Sequence, residues 1–140
     1  MTSHLFQATC VALGPRSVLF SGPPGSGKSS LALALIDRGA VLVGDDGVLL
    51  EAIGGRLAAS PAPATEGLLE VRNVGLLRFP VVRAVPVALM VALDPDAPRY
   101  IDQARSIDLF GQTVPLVQLW PDTPALALRT EAALRTWGLD

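Results

Sequence analysis

The feature that most constrains this chain is a glycine loop at residues 22–29, with the sequence GPPGSGKS. An apolar stretch with strand character, residues 18–20, directly precedes the loop, and a segment with helical character, residues 31–38, follows it. Strand, glycine loop and helix in this order form the context in which the pattern G-x-x-x-x-G-K-[ST] binds phosphate. The sequence therefore predicts a site for a nucleoside triphosphate or a related phosphate ligand; the alternative is a Gly/Pro-rich turn that binds nothing.

Each part of the loop has its own physical task. The glycines let successive backbone N–H groups point into one concavity, and the following helix adds unpaired N–H groups and the positive end of its dipole. In this pattern the lysine, Lys28, reaches the β- and γ-phosphates, and the hydroxyl of Ser29 binds Mg²⁺. The predicted nucleotide-binding residues are Gly22, Pro23, Pro24, Gly25, Ser26, Gly27, Lys28, Ser29 and Ser30.

Composition limits the class of protein. Of 140 residues, half are hydrophobic and 17% are charged, so we expect one folded domain that spans residues 1–140. The net charge is −2 and the 11 Lys and Arg residues form no cluster, which favours neither nucleic acid nor a membrane surface as a partner. So few charges instead indicate an apolar surface that another subunit covers. We find no signal-peptide pattern and no apolar run near the roughly 20 residues that span a bilayer, and therefore expect a cytoplasmic protein.

The hydrophobic pattern predicts an α/β fold with many strands and few helices. A second helix is expected near the end of the chain, with Asp122-Thr123-Pro124 as its cap, proline at its first position, and Gly138 after its last turn. Several of the connections have hairpin length, so the sheet should be mixed, with much antiparallel pairing. The predicted strands are residues 7–13, 17–21, 40–44, 48–50, 56–59, 69–72 (within the stretch 68–77), 85–93 and 114–119.

A second group of polar residues follows the predicted strand 40–44. Asp45 and Asp46 leave this strand at the sheet edge where the glycine loop leaves its own strand, which is where α/β sheets bind ligands. Phosphoryl transfer needs a carboxylate that helps to hold the metal and a group that orients or deprotonates the nucleophile. The two aspartates either divide these tasks or only one of them acts; the alternative is a plain Asp-Asp-Gly reverse turn.

Three further charged residues are candidates for the same site. Glu70 and Arg72 are two residues apart on a predicted strand and therefore project from one face. They form either part of a ligand site or a solvated ion pair of little energetic consequence. Arg99 lies in a predicted loop, where it either binds a phosphate in bidentate fashion or is solvated at the surface.

Two segments together resemble the catalytic domain of the HPr kinase/phosphorylase family, in a short, single-domain form. Residues 22–48, GPPGSGKSSLALALIDRGAVLVGDDGV, match the family's phosphate loop, its helix ending in Arg-Gly and its strand ending in Asp-Asp. Residues 69–77, LEVRNVGLL, resemble the family's LEIRGLGI-type signature. The resemblance implies a phosphate-loop (P-loop) core related to the nucleotide-binding fold of phosphoenolpyruvate carboxykinases.

The resemblance also implies an activity, namely ATP- and Mg²⁺-dependent phosphorylation of a serine on HPr or an HPr-like phosphocarrier. It implies that Asp46, beside Asp45, acts as the general base and that Lys28 neutralises the phosphates. Ser29 and Glu70 would hold Mg²⁺, and Arg99 matches the family's catalytic arginine. By resemblance the protein forms a homo-oligomer, a hexamer, and acts in signal transduction that regulates carbohydrate metabolism.

The chain also departs from the family pattern. Gln7 occupies the position of the family histidine, and His4, the only histidine, is expected in a flexible tail. Asn73 replaces a glycine of the LEIRG signature, and we expect its turn to survive because Asn tolerates positive φ. Residues 114–118 lack the arginine of the element tied to dephosphorylation, so phosphorylase activity is not expected. Two other functions remain open: a non-catalytic nucleotide-sensing regulatory module, and a small-molecule kinase, although no arginine-rich lid supports the latter.

Overall fold

The computed structural model describes residues 2–121 and 123–140. Within these ranges the chain forms eleven strands, two α-helices and one 3₁₀ turn at Pro63–Thr65. The elements are β1 (Ser3–Phe6), β2 (Thr9–Leu13), β3 (Arg16–Ser21), α1 (Lys28–Asp37), β4 (Val41–Gly44), β5 (Val48–Ile53), β6 (Arg56–Pro61), β7 (Leu68–Val71), β8 (Gly75–Arg78), β9 (Val85–Leu93), β10 (Arg105–Leu109), β11 (Gln112–Leu119) and α2 (Leu126–Trp137).

Strand β9 is the centre of a mixed sheet. On one side it pairs in parallel with β3, which continues through antiparallel β2 to β4. On its other side the start of β9 pairs antiparallel with β6, and its last four residues pair in parallel with β11. Beyond these two strands lie β5 and β1 in one direction and β10 in the other. The predicted α/β fold with a mixed, strand-rich sheet is therefore confirmed.

The pairing also fixes the direction of the strands. Because β2 is antiparallel to both β3 and β4, these two strands run the same way, and β9 and β11 run with them. The carboxyl ends of β4, β3, β9 and β11 therefore share one edge of the sheet. The glycine loop follows β3 at this edge and the aspartate pair follows β4, as the sequence predicts.

Two apolar clusters cover the two faces of the central sheet. Side chains that alternate along each strand supply both clusters: Val18 and Phe20 of β3 pack on the side of α1 and α2, and Leu19 packs on the side of β5 and β6. All three are fully buried. This arrangement explains why β3 is nearly continuous in apolar residues, since a strand covered on both faces has no polar side.

Helix α1 begins three residues earlier than predicted and ends where its sequence signals indicate. The backbone N–H of Leu31 donates to the carbonyl oxygen of Gly27 at 2.9 Å, so the end of the glycine loop already belongs to the first turn. At the other end Gly39 has φ +107°, and the N–H groups of Gly39 and Ala40 donate to Ile36 and Leu35 at 3.0 Å each. These paired bonds form a Schellman cap that ends the helix.

Several predicted boundaries are wrong. His4 does not lie in a flexible tail: it belongs to β1, pairs with Leu50 of β5, and stacks on the ring of Phe110 with 4.0 Å between centroids. Pro124 precedes α2 by two residues, so it does not occupy the first helical position, while Asp122 lies outside the described residues. Gly138 follows the helix as predicted.

The predicted strand at residues 69–72 corresponds to β7, which pairs with β8 in a hairpin. Asn73 in the turn of this hairpin has φ +68°, so the turn expected to tolerate Asn does form. Strands β1, β8 and β10 have no counterpart in the sequence prediction. Neither helix of residues 2–121 and 123–140 is long and apolar enough to cross a membrane.

Candidate functional site

The two predicted groups of residues meet in one cavity of about 420 Å³ at the carboxyl edge of the sheet. Its walls are formed by the glycine loop, helix α1, the aspartate pair and the β7–β8 hairpin. Strand β2, which lies between β3 and β4, contributes one further residue. The lining residues are Thr9, Pro24, Gly25, Gly27, Lys28, Ser29, Ser30, Asp45, Asp46, Glu70 and Arg72.

The glycine loop has the backbone geometry that phosphate binding requires. Gly27 has φ +97° and precedes α1, and no side chain caps that helix. The first N–H groups of α1 therefore lack a side-chain partner, which an anion would provide. A Cβ atom at Gly22 would come within 2.6 Å of Ser26 Oγ, so glycine is required there. This oxygen is buried and has no hydrogen-bond partner among the described residues.

Lys28 is held against the loop that it follows. Its ammonium group donates to the carbonyl oxygen of Gly22 at 2.7 Å and to that of Pro23 at 3.2 Å. These bonds bend the long side chain back over the start of the loop and keep its charge in the cavity. A cation at this position, beside uncapped N–H groups, makes the loop side of the cavity suited to polyphosphate.

Asp45 connects three elements through its carboxylate. Ser29 Oγ lies 2.8 and 2.9 Å from the two carboxylate oxygens. Thr9 Oγ1 donates to Asp45 Oδ1 at 2.9 Å, and the backbone N–H of Glu70 approaches Oδ2 at 3.4 Å. The aspartate therefore ties the glycine loop to β2 and β7. It stands beside the serine hydroxyl predicted to bind Mg²⁺.

Asp46 lies in a tight turn that is also part of the cavity wall. Its φ is +63°, a left-handed conformation that Asp tolerates better than most residues. A Cβ atom at Gly44 would come within 2.5 Å of the carbonyl oxygen of Gly47, so the turn closes on itself. The Asp-Asp-Gly reverse turn therefore forms part of the cavity wall, so a reverse turn and a candidate ligand site are compatible at this segment.

Glu70 and Arg72 form the ion pair that their spacing allows. Arg72 Nε lies 3.2 Å from Glu70 Oε1, and both side chains are more than 60% exposed. A pair this exposed contributes little stability. Because both residues also line the cavity, their carboxylate and guanidinium groups face the space that a ligand of the loop would enter.

Some residues of the prediction do not line this cavity. Gly22, Pro23 and Ser26 belong to the loop but are not among its lining residues. Arg99 lines a second cavity of about 570 Å³, whose walls come from residues 98–101, the end of β11 and α2. Gln7, at the position of the family histidine, is exposed in the connection between β1 and β2. The catalytic role of Arg99 stays a prediction.

Thr9 is the site residue that sequence reasoning missed. It is fully buried, lines the cavity and bonds to Asp45. Its neighbour Cys10 faces the core, where burial raises the pKa of the thiol to about 12, so this thiol is not a nucleophile. Nothing in the local sequence distinguishes Thr9 from a strand residue, because its place beside Asp45 depends on the antiparallel pairing of β2 with β4.

The fold and the cavity define a class: an α/β protein with a mixed sheet, in which a glycine loop and an aspartate pair share one edge. Residues 2–83 match the family model described as the HPr Serine kinase C-terminal domain, so the chain belongs to that family.

Known relatives agree with this assignment. The chain is similar to the HPr kinase/phosphorylase of Clostridium tetani, with 46% identity over 63 residues, which are 45% of this chain and 21% of that protein. It is also similar to that of Mycoplasmopsis pulmonis, with 38% identity over 71 residues, 51% of this chain and 23% of that protein. The matched region thus spans about a fifth of the length of these curated relatives.

A solved structure matches over nearly all of the chain. It is the structure of the Hpr(Ser) kinase/phosphatase from Coxiella burnetii, at 28% sequence identity and a TM-score of 0.82. The match covers 94% of this chain and 88% of that one. The similarity therefore extends beyond residues 2–83 to β9, β10, β11 and α2.

Proposed function

We propose that this protein is an ATP- and Mg²⁺-dependent serine kinase of the HPr kinase type, which phosphorylates a serine of HPr or of an HPr-like phosphocarrier. The observation that carries this proposal is the contact between the glycine loop and the aspartate pair: Ser29 Oγ bonds to both carboxylate oxygens of Asp45. We propose HPr as the acceptor because the chain belongs to this family and because its relatives are named as kinases of HPr.

The residues of the cavity fit Mg²⁺ bound together with phosphate. Mg²⁺ usually takes one or two carboxylates and completes its shell with waters and substrate phosphates. Residues 2–121 and 123–140 contain no cluster of three or more His, Cys, Asp and Glu residues that could hold a metal alone. Ser29 and Glu70 would hold the ion, with Asp45 beside Ser29. When bound, Mg²⁺ would neutralise the negative charge that develops on the phosphates.

In this proposal the loop and Lys28 position the phosphates of ATP. The N–H groups at the start of α1 and the Lys28 ammonium offset the charge of the β- and γ-phosphates, and the acceptor serine enters beside Asp46. A bond forms between the serine oxygen and the γ-phosphorus, the bond from that phosphorus to the β–γ bridging oxygen breaks, and ADP leaves. The proton of the serine hydroxyl passes to the Asp46 carboxylate.

The hydrogen-bonding pattern supports different roles for the two aspartates. The carboxylate of Asp45 is occupied by Ser29 and Thr9, so we assign it to positioning the loop serine and the metal. The carboxylate of Asp46 has no hydrogen-bond partner among the described residues and lines the cavity, so we assign the base to it. The homo-oligomer, the cytoplasmic location and the absence of phosphorylase activity stay predictions.

The test is transfer to purified HPr with Mg·ATP, with phosphoserine measured by mass spectrometry. We expect Asp46→Asn to lower the transfer rate by at least 100-fold, because general-base catalysis contributes about 10²- to 10⁴-fold. Its affinity for ATP should stay within about threefold. Asp37→Asn, an exposed position at the end of α1, is the matched control and should transfer at the wild-type rate.

Equal rates for Asp46→Asn and the wild type would remove Asp46 from this role. Gln7 in place of the family histidine motivates one further candidate, the nucleotide-sensing regulatory module. Tight binding of ATP without phosphoserine on HPr, under conditions where a bifunctional relative phosphorylates it, would favour that module over the kinase.

A further inference from the structure

A second cavity, of about 570 Å³, lies along α2 and reaches the carboxyl end of β11. Its walls come from α2, from the end of β11 and from residues 98–101 in the connection that follows β9. Most of the lining side chains are apolar or aromatic, and two guanidinium groups, of Arg99 and Arg129, are the charged groups among the described lining residues. A largely apolar cavity with a few polar groups is the usual form of a site for a small organic molecule.

The pairing of the strands places this cavity next to the glycine loop. Strand β9 separates β3, which leads into the loop, from β11, which leads into the cavity, and all three run in parallel. A Cβ atom at Gly22 would lie 3.4 Å from Leu93 Cβ, so the loop starts directly beside the end of β9. Since adjacent strands are about 4.8 Å apart, the carboxyl ends of β3 and β11 are separated by roughly 10 Å.

The aspartates lie on the opposite side of the loop. Strand β4, which ends at Asp45, is also two strands away from β3, with β2 between them. Ser29, which would hold Mg²⁺, bonds to Asp45 at the end of β4, so the terminal phosphates of a bound nucleotide would lie on the β4 side of the loop. The remainder of a nucleotide bound on the loop would therefore extend toward β9 and β11, and a distance of roughly 10 Å is within the length of its ribose and base.

The second cavity offers a fixed aromatic ring. The indole N–H of Trp120 donates to the carbonyl oxygen of Ala97 at 2.6 Å, which fixes the orientation of the ring, and 39% of the residue is exposed. Arg129 donates to the backbone carbonyl of Trp120 at 3.1 Å and to Thr123 Oγ1. Tyr100, on the connection after β9, is 79% exposed. A held tryptophan with exposed ring surface suits stacking of a flat heterocycle.

We propose that this second cavity binds the base and ribose of the nucleotide whose phosphates lie on the glycine loop, with Trp120 as the stacking surface for the base. The assignment rests on the proposed function in one respect, that the ligand of the loop is a nucleoside triphosphate. It adds a specificity site formed by residues 98–101, β11 and α2, elements that are distant in sequence from the loop.

The test compares Mg·ATP with Mg·tripolyphosphate, which has the phosphates but no base. We expect the wild type to bind ATP more tightly than tripolyphosphate in calorimetry. Trp120→Ala should weaken ATP binding by roughly 5- to 150-fold, the range for loss of one base–aromatic stack, without changing tripolyphosphate binding. Trp120→Phe keeps a ring and should retain most of the preference. An unchanged ratio of the two affinities in Trp120→Ala would overturn the assignment.

A second measurement covers the case in which Trp120→Ala does not fold. The chain has two tryptophans, so Trp137→Phe leaves Trp120 as the only one. In this variant saturating Mg·ATP should change the tryptophan emission, and Mg·tripolyphosphate should not; equal responses would count against the site. If the wild type does not phosphorylate HPr but binds ATP more tightly than tripolyphosphate, only the proposed kinase activity is contradicted. If the wild type forms phosphoserine on HPr but binds the two ligands equally well, only the proposed base site is contradicted.

Discussion

At the scale of single residues, Thr9 has the most specific role that the sequence does not reveal. Its hydroxyl is fully buried and donates to Asp45, the aspartate that in turn holds Ser29. Among the described residues, the Thr9 hydroxyl bonds to Asp45 and not to the glycine loop, so we regard Thr9 as a positioning residue. Its loss should affect the arrangement of the aspartate more than the binding of the nucleotide.

We expect Thr9→Val to lower kcat for transfer to HPr by about tenfold or more, because a hydrogen bond to a charged group contributes roughly 1.5–3 kcal/mol. The Val side chain has nearly the same shape, so KM for ATP should change little, while the lost hydrogen bond should also lower the free energy of unfolding. Thr9→Ser keeps the hydroxyl and should restore most of the rate. Steady-state kinetics that show equal kcat for Thr9→Val and the wild type would refute the positioning role.

Single residues also show what a sequence can predict about a site. Lys28, Ser29, Asp45 and Asp46 line one cavity as predicted, because the loop pattern and the edge rule for α/β sheets place them at the same edge. Glu70 lines the same cavity, as the family resemblance implies. Arg99 does not, since its place depends on the path of a connection that no local pattern determines. Thr9 was missed for a related reason: its partner, Asp45, is 36 residues away.

At the scale of elements, the glycine loop depends on one close approach. A Cβ atom at Gly22 would lie 2.6 Å from Ser26 Oγ and 3.2 Å from Ser26 Cβ, both within the loop itself. Gly22→Ala should therefore push the loop open. The strand and the helix on either side are held by the core and should remain in place.

We expect Gly22→Ala to weaken ATP binding by at least tenfold and to lower the free energy of unfolding by about 1–3 kcal/mol, the usual effect of overpacking. Calorimetry and chemical denaturation measure the two effects. Gly14→Asn in the β2–β3 turn is the control: no atom lies within 4 Å of a Cβ atom there, and Asn tolerates the φ of +64°. Gly22→Ala with unchanged ATP affinity would contradict the loop's role.

The boundaries of helices and strands were predictable where the local sequence contains a signal for them. The Arg-Gly end of α1 and the turn at Asn73 were predictable because a left-handed residue closes each of them. The start of α2 was misplaced because Pro124 precedes the helix in a turn instead of opening it. Strand β1 went unrecognised because its four residues gain their partner only from β5, some 45 positions later.

At the scale of the whole molecule, the fold class was predictable and the branching of the sheet was not. Short connections and few helices indicate a mixed sheet with much antiparallel pairing, as found. The division of one side of β9 between β6 and β11 depends on pairing between distant segments. The pairing of β11 with β9 places the second cavity on the side of the glycine loop that is opposite to the aspartates.

The surface of the molecule carries several exposed apolar side chains near the candidate site. Leu5, Val74 and Leu76 are each more than 60% exposed, and they lie on β1 and on the β7–β8 hairpin beside the site. Their exposure agrees with the homo-oligomer that the sequence predicts, in which other subunits cover such residues. The homo-oligomer and its number of subunits both stay predictions.

The central claim is that the glycine loop and the Asp45–Asp46 pair form one binding site for magnesium and ATP. The most direct measurement is a crystal structure of the protein with Mg²⁺ and a non-hydrolysable ATP analogue. We expect Mg²⁺ at about 2.1 Å from Ser29 Oγ, next to Asp45 and Glu70, with the β- and γ-phosphates on Lys28. Phosphates bound away from Lys28, or a metal ion remote from both Ser29 and the aspartate pair, would contradict it.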